Sequence, residues 1–245
     1  DLQAVEALAD AIVAHPALHV VKLISQHEVP VASLRHPDVT HLTLHRNYTF
    51  AEAVLISRLL RGNTHLQSLN LHWNCVGNSG AIALADALRN NVALRSLVLS
   101  LNDIGDSGAE ALADALSHNS VLTHLDLSLN AFGEAGLCAL SRAIASHPTL
   151  AVLDVSGNRF RHDGVLLLAE ALASNTSLTS LSLADNDMSG EALLALADSV
   201  KSNVTLREIT LTAGCAVPLA ALRNPSPDLA NASADVAVAS GQALE

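Results

Sequence analysis

Residues 94–121 read LRSLVLSLNDIGDSGAEALADALSHNSV, and Leu122 then begins the same pattern again. In the first half Leu97 and Leu99 alternate with polar or exposed-type positions, as in a strand with one buried face. In the second half Ala109, Leu112, Ala113 and Leu116 follow the i, i+3, i+4, i+7 spacing of one helical stripe. A strand and a helix therefore share 28 residues, and a unit of that size buries its apolar faces only by stacking on copies of itself.

The copies are present. Leu66, Leu94, Leu122, Leu150, Leu178 and Leu206 recur at a spacing of 28; Leu69, Leu97, Leu125, Leu153, Leu181 and Ile209 follow three residues later; Asn74, Asn102, Asn130, Asn158 and Asn186 come eight after each opening Leu. The pattern LxxLxLxxN resembles the leucine-rich repeat family. The period and the helical GAxALAxAL segment are similar to the ribonuclease-inhibitor-like subclass, over about residues 2 to 213. The resemblance implies an α/β solenoid, curved, with parallel strands on the concave face and helices on the convex face. Strands stack about 4.8 Å apart while packed helices need roughly 8–10 Å, which dictates the same bend.

Three segments follow: an N-terminal helix or cap at 1–17, an array of about eight strands at 18–212, and an irregular C-terminal cap or linker at 213–245. The strands are expected near residues 18, 39, 66, 94, 122, 150, 178 and 206. Asn47 is expected in the buried asparagine ladder of the turns, where a side chain that both donates and accepts satisfies backbone groups. Asn91, Asn119, Asn175 and Asn203, with His147 as the exception, follow each helix and suit a left-handed cap. Asp1 in place of an initiator Met and the closing Leu244-Glu245 pair suggest an excised domain with residues added by cloning.

With 245 residues, 50% hydrophobic and 15% charged, the chain has enough apolar content for a core, so a wholly disordered protein is excluded. Aromatics contribute 2%, leaving Leu, Ala, Val and Ile to pack regularly. A formal charge of −11 argues against nucleic acid and anionic membrane surfaces as partners. Cys75, Cys138 and Cys215 form no CxxC, so neither a disulfide framework nor a zinc site is expected, and a reducing, cytoplasmic setting follows, the host cytoplasm if the protein is a secreted effector. No stretch approaches the roughly 20 apolar residues of a membrane span.

Alternation places Val20, Lys22, Ile24 and Ser25 of the first unit, and the equivalent positions of each later one, on the concave face or its rim. There the bulky residues cluster: His45, Arg46, His72 and Trp73, with Leu101 and Leu129 in the next two repeats, make the best candidate contact patch, since Trp and Arg anchor interfaces. Asp126 and Asp154 share a column on adjacent strands with His124 nearby, a group suited to a basic partner; the open setting and the lack of a third carboxylate argue against metal or acid/base chemistry. Seven of the twelve histidines lie in the first 65 residues, without metal-motif spacing. On the convex side Leu166 and Leu194 offer a candidate contact to another domain or subunit, with a monomer as the expected state.

GxSxG, P-loop and HExxH patterns are absent from the sequence, and neither an enzyme nor a cofactor is expected within this chain. Proteins that the repeats resemble include ribonuclease inhibitors, GTPase-activating proteins for a nuclear transport GTPase, innate immune sensors, and bacterial effectors that recruit targets to ubiquitin-ligase domains. The resemblance therefore implies a module binding a protein on its concave face and rim; the Ala-rich, Lys-poor composition suggests the target-recognition region of an effector or ubiquitin-ligase-type protein. The alternatives are a GTPase regulator acting through a residue such as Arg46, and a structural spacer.

Overall fold

Each repeat becomes a three-residue strand, a tight turn and a helix. The computed structural model describes residues 2–23, 27–45, 47–212 and 215–218. In chain order these form α1 (Leu2–Ala14), β1 (Val21–Lys22), β2 (Glu28–Val29), α2 (Val31–Arg35), β3 (His41–Thr43), α3 (Phe50–Leu60), β4 (Ser68–Asn70), α4 (Gly77–Leu88), β5 (Ser96–Val98) and α5 (Asp106–Leu116). They continue with β6 (His124–Asp126), α6 (Glu134–Ile144), β7 (Val152–Asp154), α7 (Asp163–Ser174), β8 (Ser180–Ser182), α8 (Gly190–Ser202), β9 (Glu208–Thr212) and β10 (Cys215–Pro218). Strands β3 to β9 pair in parallel, each with the next, and β10 folds back antiparallel on β9 at one edge. The register keeps the repeat: Leu69, Leu97, Leu125, Leu153, Leu181 and Ile209 stand side by side, all buried. The result is an α/β solenoid with one continuous core between sheet and helices.

The first expected strand is a correction. Val21–Lys22 pairs antiparallel with Glu28–Val29 in a separate two-stranded sheet, so seven parallel strands, not eight, build the face. Pro30 and Pro37 flank α2 and leave the unit's helical half only those five residues. What the unit does instead is hold the N-terminal helix. The Arg35 guanidinium donates to the carbonyls of Ile12 (3.1 Å) and Val13 (2.9 Å) at the end of α1 and to those of His15 and Leu18 beyond it (both 3.1 Å). Arg58 of α3 holds Glu6 and Asp10 of α1 at 3.1 and 2.9 Å.

In the turns, the Asn130 carboxamide accepts from the backbone N–H groups of Asn102 and Ile104 in the preceding repeat (3.1 and 3.0 Å) and donates to the Leu99 carbonyl (2.9 Å). Asn74, Asn102, Asn130 and Asn158 are buried in this ladder. Asn47 is not. It is exposed with φ +56°, and Tyr48, buried, takes the place that Val76 and Ile104 hold in later repeats, its N–H donating to Asn74 Oδ1 at 2.9 Å as theirs do to Asn102 and Asn130 Oδ1 (3.2 and 3.0 Å). Three residues separate Leu44 from Tyr48 where four separate Leu71 from Val76, so this turn is one residue short and Asn47 falls out of the ladder register.

The asparagines after the helices form a second buried ladder rather than left-handed caps. Asn175 and Asn203 have φ −69° and −72° with ψ 133° and 126°, extended backbone that runs straight toward the next strand. Asn119 accepts from Val121 and Leu122 N–H (2.9 and 2.8 Å) and donates to the Leu88 carbonyl of the preceding helix (2.8 Å). His147 keeps half of this pattern: its Nδ1 accepts from Thr149 and Leu150 N–H at 3.3 and 3.0 Å.

A further interlock joins consecutive helices. Helices α5 and α6 begin at Gly105 and Gly133 without capping side chains of their own. The first-turn side chain of the preceding repeat caps them: Asn78 Oδ1 accepts from Gly105 and Gly108 N–H (2.8 and 3.1 Å), and Asp106 Oδ1 from Gly133 and Gly136 N–H (both 2.8 Å). Glycine at 108 and 136 makes this close approach possible, since a Cβ at Gly136 would stand 2.9 Å from the Ala109 Cβ and 3.0 Å from Asp106 Oδ1.

Candidate partner-binding face

The strands present His41 and Thr43 (β3), Ser68 and Asn70 (β4), Ser96 and Val98 (β5), His124 and Asp126 (β6), Val152 and Asp154 (β7), and Ser180 and Ser182 (β8), all exposed or half-buried. Val20 and Lys22 do not belong to this face, because β1 lies outside the parallel sheet; Ile24, Ser25 and Arg46 lie outside the described residues.

Immediately after the strands the backbone turns through the left-handed region at Trp73 (φ +56°), Leu101 (+56°), Leu129 (+54°), Gly157 (+63°) and Asp185 (+56°). The turn keeps the ladder: Trp73, Leu101 and Leu129 N–H donate to the carbonyls of Ser100, Ser128 and Ser156 at 2.9, 3.1 and 2.8 Å. That geometry costs an ordinary L-residue of order 1–2 kcal/mol, and Gly or Asp meets it at lower cost. Here three bulky apolar residues adopt it and stay exposed at 69% (Trp73), 38% (Leu101) and 49% (Leu129). They form a ridge along one rim over three successive repeats. Leu129 reaches over Gly157, where a Cβ would stand 2.6 Å from its Cδ2. At the other end of the ridge, Thr43, His45, Asn47 and Trp73 line a depression of about 530 Å³.

Polar groups run from the ridge onto the sheet. His45 Nδ1 meets the His72 carbonyl at 3.2 Å, and the two rings stand edge to face with centroids 6.3 Å apart. His72 Nδ1 meets Ser100 Oγ at 2.8 Å, and Ser100 donates to Asp126 Oδ2 at 2.9 Å. Asp126 Oδ1 accepts from the N–H and hydroxyl of Ser128 (2.9 and 2.7 Å); Asp154 Oδ1 accepts from those of Ser156 (2.9 and 2.6 Å). Asp126 and Asp154 are register partners on adjacent strands. His124 shares their face, but among the described residues no hydrogen bond joins it to either carboxylate. Sequence reasoning missed the serine anchors, although the Asp-x-Ser spacing at 126–128 and 154–156 carries them. Among the described residues no group of three or more His, Cys, Asp or Glu side chains is placed to hold a metal ion, and no helix is long and apolar enough to cross a membrane.

On the convex side Leu194 is exposed and Leu166 is half-buried. A furrow of about 340 Å³ along α3, α4 and α5 is crossed by the ion pairs Arg61–Asp86 and Arg89–Asp114, which neutralise one another between neighbouring helices. Cys138 on α6 is a free thiol whose pKa burial pushes up, away from the reactive thiolate form.

Residues 62–85, 90–113, 118–141 and 174–197 each match the family model described as Leucine Rich repeat. These four segments of the array are similar to leucine-rich repeats. Among curated proteins, no sequence matches the chain significantly. Solved structures similar to this chain include the actin-binding site 2 of leiomodin-1, with 18% identity and a TM-score of 0.44 over 71% of this chain and 84% of that one. The tropomodulin C-terminal domain of Caenorhabditis elegans gives 15% identity and 0.45 over 71% and 90%. A pollen receptor kinase 3 gives 22% and 0.41 over 63% and 64%.

Proposed function

We propose that this leucine-rich repeat array is a protein-binding module that holds its partner on the concave face and the adjoining rim. The observation that carries this reading is the ridge of Trp73, Leu101 and Leu129. The turn demands left-handed backbone that Gly157 and Asp185 supply, so three large apolar side chains there add strain and solvent-exposed area rather than core. His45, His72, Asp126 and Asp154 continue the surface, with His124 beside them and Arg46 adjoining in sequence. The period of 28 with a full helix in each outer half supports the ribonuclease-inhibitor-like subclass. Free Cys75 and Cys138 support a reducing, cytoplasmic setting, and the Ala-rich, Lys-poor composition supports a recognition region within an effector or ubiquitin-ligase-type protein.

The test is affinity capture from candidate cell lysates with the wild-type chain and Trp73→Ala/Leu101→Ala, after circular dichroism has shown both folded. The reading expects proteins retained by the first and lost from the second. Equal recovery from both would move the function to the convex helices or to the spacer role.

A further inference from the structure

Resting on the reading of the ridge as a docking surface, we infer that its occupant is a segment of a partner protein that sets apolar side chains on Trp73, Leu101 and Leu129 and an Arg or Lys on Asp126 and Asp154. The argument comes from which hydrogen-bonding roles remain open beside the ridge. Ser100 spends its one hydroxyl proton on Asp126, so it accepts from His72, and His72 Nδ1 carries the proton. A backbone carbonyl only accepts, so His45 Nδ1 is also the protonated nitrogen of its ring. In the neutral form both imidazoles are left with Nε2 as an acceptor.

The carboxylates point the same way. Each has Oδ1 fixed by the serine two residues on, while Asp154 Oδ2 is without a hydrogen-bond partner among the described residues. No Lys or Arg occupies the face positions of β3 to β8, and among the described residues the two register-paired carboxylates have no ion-pair partner. Acceptors that are held in place and lack a donor complement a guanidinium or ammonium group, and the chain's net charge of −11 favours the approach of a basic segment. Leu129 lies three positions after Asp126, so the cationic side chain sits roughly 10 Å from the apolar contacts.

The experiment pans a library of random twelve-residue displayed peptides on the wild-type chain and measures the enriched peptides by fluorescence anisotropy. Three variants are compared: Trp73→Ala, Asp126→Asn/Asp154→Asn, and Asp154→Arg, each first shown folded by circular dichroism. Asparagine keeps an Oδ1 acceptor for the serine N–H, so the double variant removes charge without removing the anchor. The expected peptides carry Arg or Lys beside a Leu, Ile or Phe cluster, bind at least tenfold more weakly to each variant, and weaken as salt rises. Peptides lost from Trp73→Ala but indifferent to the Asp substitutions would overturn the cationic occupant and leave the ridge reading standing. Peptides indifferent to Trp73→Ala, no enriched peptide, or self-association of the chain through the ridge would overturn both.

Discussion

Trp73 shows how one residue separates what folds the chain from what the chain presents. Its N–H serves the turn, as does Gly157 N–H at the same place in a later repeat, whereas its indole stands in solvent. Gly157 is the converse. Alanine there meets both the left-handed φ and the Leu129 side chain, so Gly157→Ala is expected to lower stability by about 1–2 kcal/mol in urea unfolding and to displace Leu129 from the ridge. His147 is a third case. Burial lowers its pKa from the ordinary 6.5, outweighing a backbone hydrogen bond with Asn119 that favours the charged form, while Nδ1 must stay unprotonated to accept two N–H groups. The unfolded chain therefore takes up a proton as pH falls below about 6.5 while the folded one does not, and stability declines from there toward lower pH. In His147→Asn this part of the decline should be missing from urea midpoints taken between pH 7 and 5.

At the scale of elements, α5 and α6 are capped by the preceding repeat, whereas α3 and α8 are capped by their own Thr49 and Ser189. Asp106 opens α5 but caps α6, so Asp106→Ala should cost about 1 kcal/mol and should speed amide exchange at Gly133 and Gly136 rather than in α5. The helices themselves were legible from the spacing of Leu112, Ala113 and Leu116, and the strands from alternation around Leu97. The capping between repeats was not, because it joins residues 27 to 30 apart whose side chains are unremarkable within a single unit. The serines beneath Asp126 and Asp154 escaped notice for a related reason: alternation says which side a residue faces, not which backbone N–H its neighbour leaves open.

Over the whole molecule the fixed period carried the architecture, and its defects marked where reading failed. One residue fewer before Tyr48 than before Val76 left Asn47 out of the ladder, and the first expected unit pairs antiparallel and braces α1 through Arg35. Stacked repeats touch only their neighbours, so damage spreads locally. Leu125→Asp puts an uncompensated charge among Leu97, Leu153 and the helices behind them, and limited proteolysis should then cut the repeats on either side of β6 first. The central claim, that the ridge is presented to a partner and is not needed by the fold, is tested most directly by urea unfolding of Trp73→Asn beside the wild type. Asparagine relieves left-handed strain while forfeiting a small buried area, and these opposing contributions should leave stability within about 1 kcal/mol of the wild type. A loss of about 3 kcal/mol or more would place Trp73 in the core of the structure and contradict the account.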